Sequence, residues 1–459
     1  MITREQLRIT ELGPREINSP VALSTVPGDG VGNYVDDRAR VLAHIELQED
    51  EDVDESLCFE KAGPREKLYF RPQYCRAAIV TCGGLCPGLN NVIRSIHNEL
   101  YYHYGVKDIL GIRNGYQGLN PEFGLKPLEL DPEMVSNIHK LGGTILSSSR
   151  GPQDEKVMVD YLCSLGINML FCVGGDGTQR GAHAIAQEAL RQRAPLAVVG
   201  LPKTIDNDIN FVQRSFGFAT ALEKAKEVLD GAHAEAKGAP NGLAIVKLMG
   251  RNAGFIAAGA TIASQEVNCT LIPELPFDLD GDQGLLAFLK NRILRKKHAV
   301  LVVAEGAGQE LFETAHDDRD PSGNPKLQDI GLYLRESVKN YFAAEGIPIS
   351  IKYFDPSYII RSVPANSADG VLCDQMARMA VHAAAAGKTD LLMGYIHNYF
   401  VHVPISLAIA NKKHLNPEGD LWMAVVASTG QPARLGGATP PRPRSENELE
   451  ESKVAGSEF

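Results

Sequence analysis

Short runs of apolar, largely β-branched residues recur along the chain, each followed by a turn-forming segment and then by residues at helical spacing. The runs Ala77–Thr81, Met169–Val173, Leu196–Val199, Leu243–Leu248, Ala299–Ala304 and Leu391–Met393 are too short for helices. Several are apolar throughout, as strands covered on both faces are. Between them lie candidate helices, for example Asn90–Tyr102, Gly181–Arg191 and Thr220–Lys237. This alternation predicts an α/β fold with mainly parallel sheets. Ligands bind such folds at the carboxyl ends of the strands, so the glycine-rich segments just after the strands are the places to look for chemistry.

The ends of the chain break the pattern. Residues 1–72 show little apolar periodicity and contain the acidic run Glu46–Glu55, which reads as a solvated or loosely docked arm. From about Ala433 the chain is rich in Pro, Arg, Glu and Ser and is expected to fray. A length of 459 residues exceeds a single core and predicts two or three domains. No apolar run reaches the ~18 residues of a membrane span, and the polar start Met1–Arg8 argues against a secretory signal. The net charge of −11 argues against a nucleic-acid or anionic-membrane partner, whose phosphates require a basic footprint. It leaves room for small phosphorylated substrates held by a few local cations. The eight cysteines are scattered and form no C-x-x-C pair, so free thiols in a reducing cytoplasm are expected. Cys82 and Cys86 lack a second pair that would complete a zinc site.

Three segments carry candidate chemistry. Thr81-Cys-Gly-Gly-Leu-Cys-Pro-Gly-Leu-Asn-Asn-Val-Ile-Arg94 follows a strand and opens a helix. Its glycines let backbone N–H groups approach phosphate oxygens, although a purely structural tight turn would explain this segment alone about as well. Gly174-Gly-Asp-Gly-Thr178 again follows a strand. Asp176 could cap the next helix, but the motif has more glycine than a cap needs, and a carboxylate beside bound phosphates is how Mg²⁺ is usually held. In Pro202-Lys-Thr-Ile-Asp-Asn-Asp208 the carboxylates of Asp206 and Asp208 would face the same side if the segment were extended. One could then take a proton from an attacking hydroxyl, with Lys203 adding a cation for a transferring phosphate.

Taken together and in this order, G-G-x-x-P-G-x-N, G-G-D-G-T and P-K-T-I-D-N-D resemble the 6-phosphofructokinases. The resemblance spans about residues 74–410 and continues through Met249-Gly-Arg251, Ala304-Glu-Gly306 and Asp355-Pro-Ser-Tyr-Ile-Ile-Arg361. It implies two Rossmann-like three-layer domains plus the N-terminal arm. ATP would bind residues 73–217 with a return segment at about 362–410, and the sugar phosphate would bind residues 218–361, leaving 411–459 as a C-terminal extension. It also implies roles. Gly83, Gly84, Arg150, Gly151, Gly175, Asp176, Gly177 and Thr178 would hold ATP, with Asp176 serving Mg²⁺. Asp206 would be the proton acceptor, assisted by Arg150 and Lys203. Thr204, Ile205, Met249, Gly250, Arg251 and Glu305 would meet the sugar, and Lys352, Tyr358, Ile359, Ile360 and Arg361 its 6-phosphate end. Tyr358 stands where a histidine is usual and Gly242 where an arginine reaching from a neighbouring subunit is usual, a pattern that looks like the plant and trypanosomatid branch.

The resemblance implies an ATP-dependent 6-phosphofructokinase of glycolysis, cytoplasmic, allosteric and a homotetramer or homodimer. A pyrophosphate-dependent enzyme of the same family is the nearest rival. Gly177 leaves open the space of a nucleotide α-phosphate, whereas Lys203 is typical of pyrophosphate users. A silent regulatory subunit would be expected to lack Asp206, and an NAD-dependent oxidoreductase would carry a G-x-G-x-x-G fingerprint that is missing here.

Overall fold

The computed structural model describes residues 3–46, 53–312 and 326–437. The described residues form two compact units, one within Met1–Ala225, Ala315–Lys326 and Pro356–His414, the other within Lys226–Thr314, Leu327–Asp355 and Leu415–Phe459. Among the described residues no helix is long and apolar enough to cross a membrane, and all eight cysteines are free thiols.

The first unit is built on a nine-stranded sheet in the order Arg40–Leu42, Cys58–Lys61, Tyr399–Pro404, Leu391–Ile396, Ala197–Pro202, Ile167–Gly174, Arg76–Thr81, Asp108–Ile112 and Leu128–Glu129. From Leu391–Ile396 to Asp108–Ile112 the neighbours are parallel. Ala197–Pro202 is buried along its whole length, which explains why its sequence shows no alternation. The hairpin joining Leu391–Ile396 to Tyr399–Pro404 turns through His397 and Asn398, both at positive φ. That is the twist a two-residue hairpin requires, and here it is made without glycine, so no turn signal marks the strand that follows. Asp108–Ile112 is hidden for another reason. Gly111 interrupts its apolar run, and a Cβ there would lie 2.3 Å from Leu146.

The N-terminal segment is not loosely docked, contrary to the sequence expectation. Cys58–Lys61 pairs with Tyr399–Pro404 and carries Arg40–Leu42 at its outer edge. Phe59 and Leu7 belong to the core of the unit. Glu60 is clamped by Arg65 and Lys388 at 2.8 Å each, and Lys388 reaches Glu11 at 2.7 Å. Arg65 and Lys388 are buried, and buried charges of this kind are tolerated only when paired. The arm therefore folds by charge pairing and edge pairing, which apolar periodicity does not report. Most of the acidic run Glu46–Glu55 lies outside the described residues.

The helix expected over Asn90–Tyr102 is α-helical only over Leu89–Asn98 and then widens into a π-helix over Glu99–Tyr104. The wider turn carries the buried Glu99 carboxylate to Arg378, and Gly105 at φ 75 ends it.

The second unit has a four-stranded, wholly parallel sheet in the order Cys269–Leu271, His298–Ala304, Gly242–Leu248 and Ser350–Phe354. The helices Leu285–Lys296 and Ile330–Ala344 share its apolar core. The C-terminal extension is part of this unit. Asp420–Thr429 packs on the Phe255–Ser264 helix with Trp422 buried, and the Gln431 carboxamide accepts from Thr270 N at 2.7 Å. Fraying does not begin at Ala433, because Leu435 is buried and its carbonyl accepts from Asp278 N at 2.9 Å. The remainder of the tail, residues 438–459, lies outside the described residues.

Candidate active site

In the first unit the segments that follow three parallel strands meet. Thr81 closes the Arg76–Thr81 strand, and its hydroxyl donates to the Ser147 carbonyl at 3.0 Å. Gly83 N donates to the Ser149 carbonyl at 3.0 Å, and the Ser148 hydroxyl donates to the Gly83 carbonyl at 2.6 Å. The glycine turn is thus stitched to the Ser147–Arg150 loop, and Arg150 is brought to it. A Cβ on Gly84 would lie 2.9 Å from Arg361 Nη1 and 3.6 Å from Arg150 Nη2. Lys203 donates from Nζ to the Gly84 carbonyl. Three cations therefore converge on one glycine. Gly83 and Gly151 have φ of 83 and 101, where a side chain is strained.

Gly174 and Gly175 lead into the Asp176–Arg191 helix, whose first turn holds Asp176, Gly177 and Thr178. A Cβ on Gly177 would meet nothing within 4 Å. The Asp176 carboxylate accepts from Arg180 Nε at 3.1 Å. Among the described residues no group of three or more His, Cys, Asp or Glu could hold a metal by itself. A lone carboxylate at a helix N-terminus suits a Mg²⁺ that arrives with phosphate oxygens rather than a resident ion. Gln179 is a functional support that motif reading misses. It is buried, and its Nε2 donates to the Gly174 carbonyl at 2.9 Å and the Leu201 carbonyl at 3.2 Å, tying two strand ends together. Only tertiary contacts reveal it.

The third segment corrects the extended geometry expected for Asp206 and Asp208. The chain bends at Ile205–Asp206, and Asn207 is left-handed at φ 55, so the two carboxylates do not share a face by strand alternation. Asp208 accepts from the Thr204 hydroxyl at 3.0 Å, and the same Thr204 oxygen accepts from Asp206 N at 3.0 Å. Asn207 holds the loop closed, accepting from Ser215 N at 3.0 Å and donating to the Gln213 carbonyl at 3.2 Å. The bend leaves Asp206 half-buried while Ile205 is in the interior. Lys203 is buried too, and burial lowers its pKa; Arg361 adds to this, and Asp206 opposes it. Burial likewise lowers the Arg361 pKa, against the pull of the Asp206 carboxylate, while Arg150 lowers it further.

Arg361 ends the short Ser357–Arg361 helical turn. Its guanidinium stacks 4.8 Å from the Tyr358 ring. Tyr358 and Ile359 are exposed, but Ile360 is fully buried, so its side chain packs the turn rather than facing a ligand.

In the second unit Met249, Gly250 and Arg251 follow the Gly242–Leu248 strand, with Gly250 at φ 144 and Arg251 at φ 50. Glu305 follows the neighbouring His298–Ala304 strand and accepts from Arg251 N at 2.9 Å. Gly306 is required here, since a Cβ would fall 1.9 Å from the Arg251 carbonyl oxygen. Lys352 does not join them. It pairs across from Ala244, five residues before Met249 and so about 16 Å back along the strand, and its ammonium lies 3.6 Å from Glu235. Gly242 is also backbone-limited, as a Cβ would lie 2.0 Å from the Ala236 carbonyl oxygen.

The phosphofructokinase family profile matches residues 76–384. The chain is 47% identical over 435 residues to the ATP-dependent 6-phosphofructokinase of Borreliella burgdorferi, covering 93% of this chain and 97% of that one. It is 45% identical to ATP-dependent 6-phosphofructokinase 7 of Arabidopsis thaliana, covering 85% and 80% of the two chains. Its fold is like that of a pyrophosphate-dependent phosphofructokinase from Marinobacter aquaeolei, with a TM-score of 0.65 at 21% identity over 81% of this chain and 94% of that one.

Proposed function

We infer that this chain, which belongs to the phosphofructokinase family, is an ATP-dependent 6-phosphofructokinase that transfers the γ-phosphoryl of ATP to O1 of fructose 6-phosphate. The observation that carries the reading is the convergence of Lys203, Arg150 and Arg361 on the Gly83–Gly84 turn beside Asp206. In-line phosphoryl transfer needs mostly positioning and charge stabilisation. Asp206 accepts the proton of the O1 hydroxyl as that oxygen forms its bond to the γ-phosphorus. The bond to the β,γ-bridging oxygen breaks, and its electrons leave with ADP. Arg150 spreads the charge on the moving phosphoryl group, and Arg361 holds the phosphate of the sugar. Asp176 would hold a Mg²⁺ brought with the phosphates of ATP, and the ion would supply further charge neutralisation.

In this reading Lys203 acts through the backbone. Its ammonium is engaged by the Gly84 carbonyl, so it shapes the phosphate turn. ATP binds residues 73–217 with the 362–410 return, and the sugar phosphate binds 218–361 through Met249–Arg251 and Glu305. The active form is a homo-oligomer in the cytoplasm. Pyrophosphate remains the second reading because Lys203 is present, while the open space at Gly177 favours a nucleotide. Purified protein, fructose 6-phosphate and Mg²⁺ with either ATP or pyrophosphate decide between them. Turnover with ATP and little with pyrophosphate is expected; the reverse preference would overturn the reading.

A further inference from the structure

Lys247 stands two residues before Met249, near the carboxyl end of the Gly242–Leu248 strand. Its side chain is only 14% exposed, and its ammonium lies 2.8 Å from Asp329 Oδ2 and 2.9 Å from Asp355 Oδ2. Burial by itself would favour the neutral amine, but the hydrogen bonds it donates to the two carboxylates outweigh it and raise the pKa above the ordinary lysine value. A charge withdrawn from water in this way is stable only with its partners in place.

The two carboxylates serve different segments. Asp329 already has structural work: it caps the Ile330–Ala344 helix, accepting from Leu332 N at 3.1 Å, and takes a further hydrogen bond from the Tyr353 hydroxyl at 3.1 Å. Asp355 is the last residue of its stretch of the second unit, joined directly to Pro356 and the Ser357–Arg361 turn. That turn begins under strain, with Ser357 at φ 33. Such a conformation persists only where the flanks over-determine it. The far flank is held by buried Ile360 and by the Ser362 hydroxyl, which donates to the Tyr358 carbonyl at 2.8 Å. The near flank is Asp355.

We propose that Lys247 is a positioning residue for phosphoryl transfer, because by holding Asp355 it fixes the entry to the turn that presents Arg361. Lys247 precedes Met249–Arg251 in the chain, and its partner Asp355 immediately precedes the turn that ends at Arg361. The kinetic part of the test rests on the proposed kinase activity, and the exchange part does not.

The experiment compares Lys247→Met, Lys247→Arg, Asp355→Asn and Asp329→Asn in the full-length protein. Lys247→Met and Asp355→Asn should each raise the KM for fructose 6-phosphate about ten-fold and leave the KM for ATP within about two-fold. The double variant should be no worse than either single one. Lys247→Arg should restore most of the loss, and Asp329→Asn should lower the melting temperature while leaving both KM values near wild type. Hydrogen exchange of amides 357–361 should quicken about ten-fold in Lys247→Met and Asp355→Asn only. Asp355→Asn is nearly isosteric, so it serves if Lys247→Met does not fold. A wild type without kinase activity would sink the kinase reading and leave the exchange result to judge Lys247. Unchanged exchange in folded Asp355→Asn, or an equal effect on sugar-phosphate KM from Asp329→Asn, would overturn the proposal.

Discussion

The two glycine turns of the first unit use glycine in opposite ways. The Gly83–Gly88 turn is crowded. Gly84 has no room for a side chain beside Arg361, and a Cβ on Gly88 would lie 2.5 Å from Cys373 Sγ with φ at 101. Glycine is there so that other groups can come close, and at Gly84 those groups are cations with Asp206 beside them. The Gly174–Thr178 turn is open at Gly177, where a Cβ would meet nothing. Glycine there leaves space unused by the protein, which is what a bulky ligand needs. A glycine-rich motif can therefore mark either a packed charge site or a reserved volume, and only neighbouring atoms distinguish the two.

If the crowded turn is where chemistry happens and the open one is where the donor lies, changes beside the first should strike kcat or the acceptor KM and changes in the second the use of the donor. The largest effect is expected from Asp206→Asn, which removes the proton acceptor while keeping size. The turnover number should fall about 10²–10⁴-fold with ATP affinity little changed. A variant with near wild-type kcat would place the base elsewhere.

Next comes Gly177→Asp. The fold should tolerate it, since the space is empty, but a carboxylate would face the nucleotide phosphates. Like-charge repulsion costs several kcal/mol, so kcat/KM for ATP should fall about 100-fold or more, with an unaltered melting temperature. Pyrophosphate turnover should suffer less. Unchanged ATP kinetics would mean that the open space is not the donor's.

Gly88→Ala should show the reverse signature. A left-handed alanine overpacked against Cys373 should cost roughly 2–4 kcal/mol of stability, visible in denaturant unfolding, with little specific effect on the nucleotide KM in whatever remains folded. Equal stability losses at Gly88 and Gly177 would dissolve the distinction between the turns.

The smallest effect is expected from Arg361→Ala, which removes one cation from the crowded turn. Loss of a charge-assisted hydrogen bond of about 1.5–3 kcal/mol should raise the KM for the sugar phosphate well above any change in that for ATP. Equal effects on both substrates would make Arg361 a structural ion-pair partner, and a larger effect on ATP would assign its guanidinium to the donor.

Much of this protein was legible in its linear pattern. All six strands expected from apolar runs are present, because a strand buried on both faces must be apolar throughout, and that requirement is local. The motif segments fall just past strand ends, where parallel sheets leave backbone groups free for ligands. What tertiary structure alone decided is of a different physical kind. The arm joins the sheet through edge pairing and the buried charges of Arg65, Glu60 and Lys388, partners drawn from distant parts of the chain. The bend at Ile205–Asp206 and the left-handed Asn207 are held by hydrogen bonds of Asn207 to Ser215 and Gln213 rather than set by strand alternation. Lys203, which reads as a free cation, is spent on the Gly84 carbonyl across more than a hundred residues of chain. Periodicity and spacing report which groups a segment must bury; they cannot report which distant donor will satisfy a buried charge, because that depends on where the fold brings it.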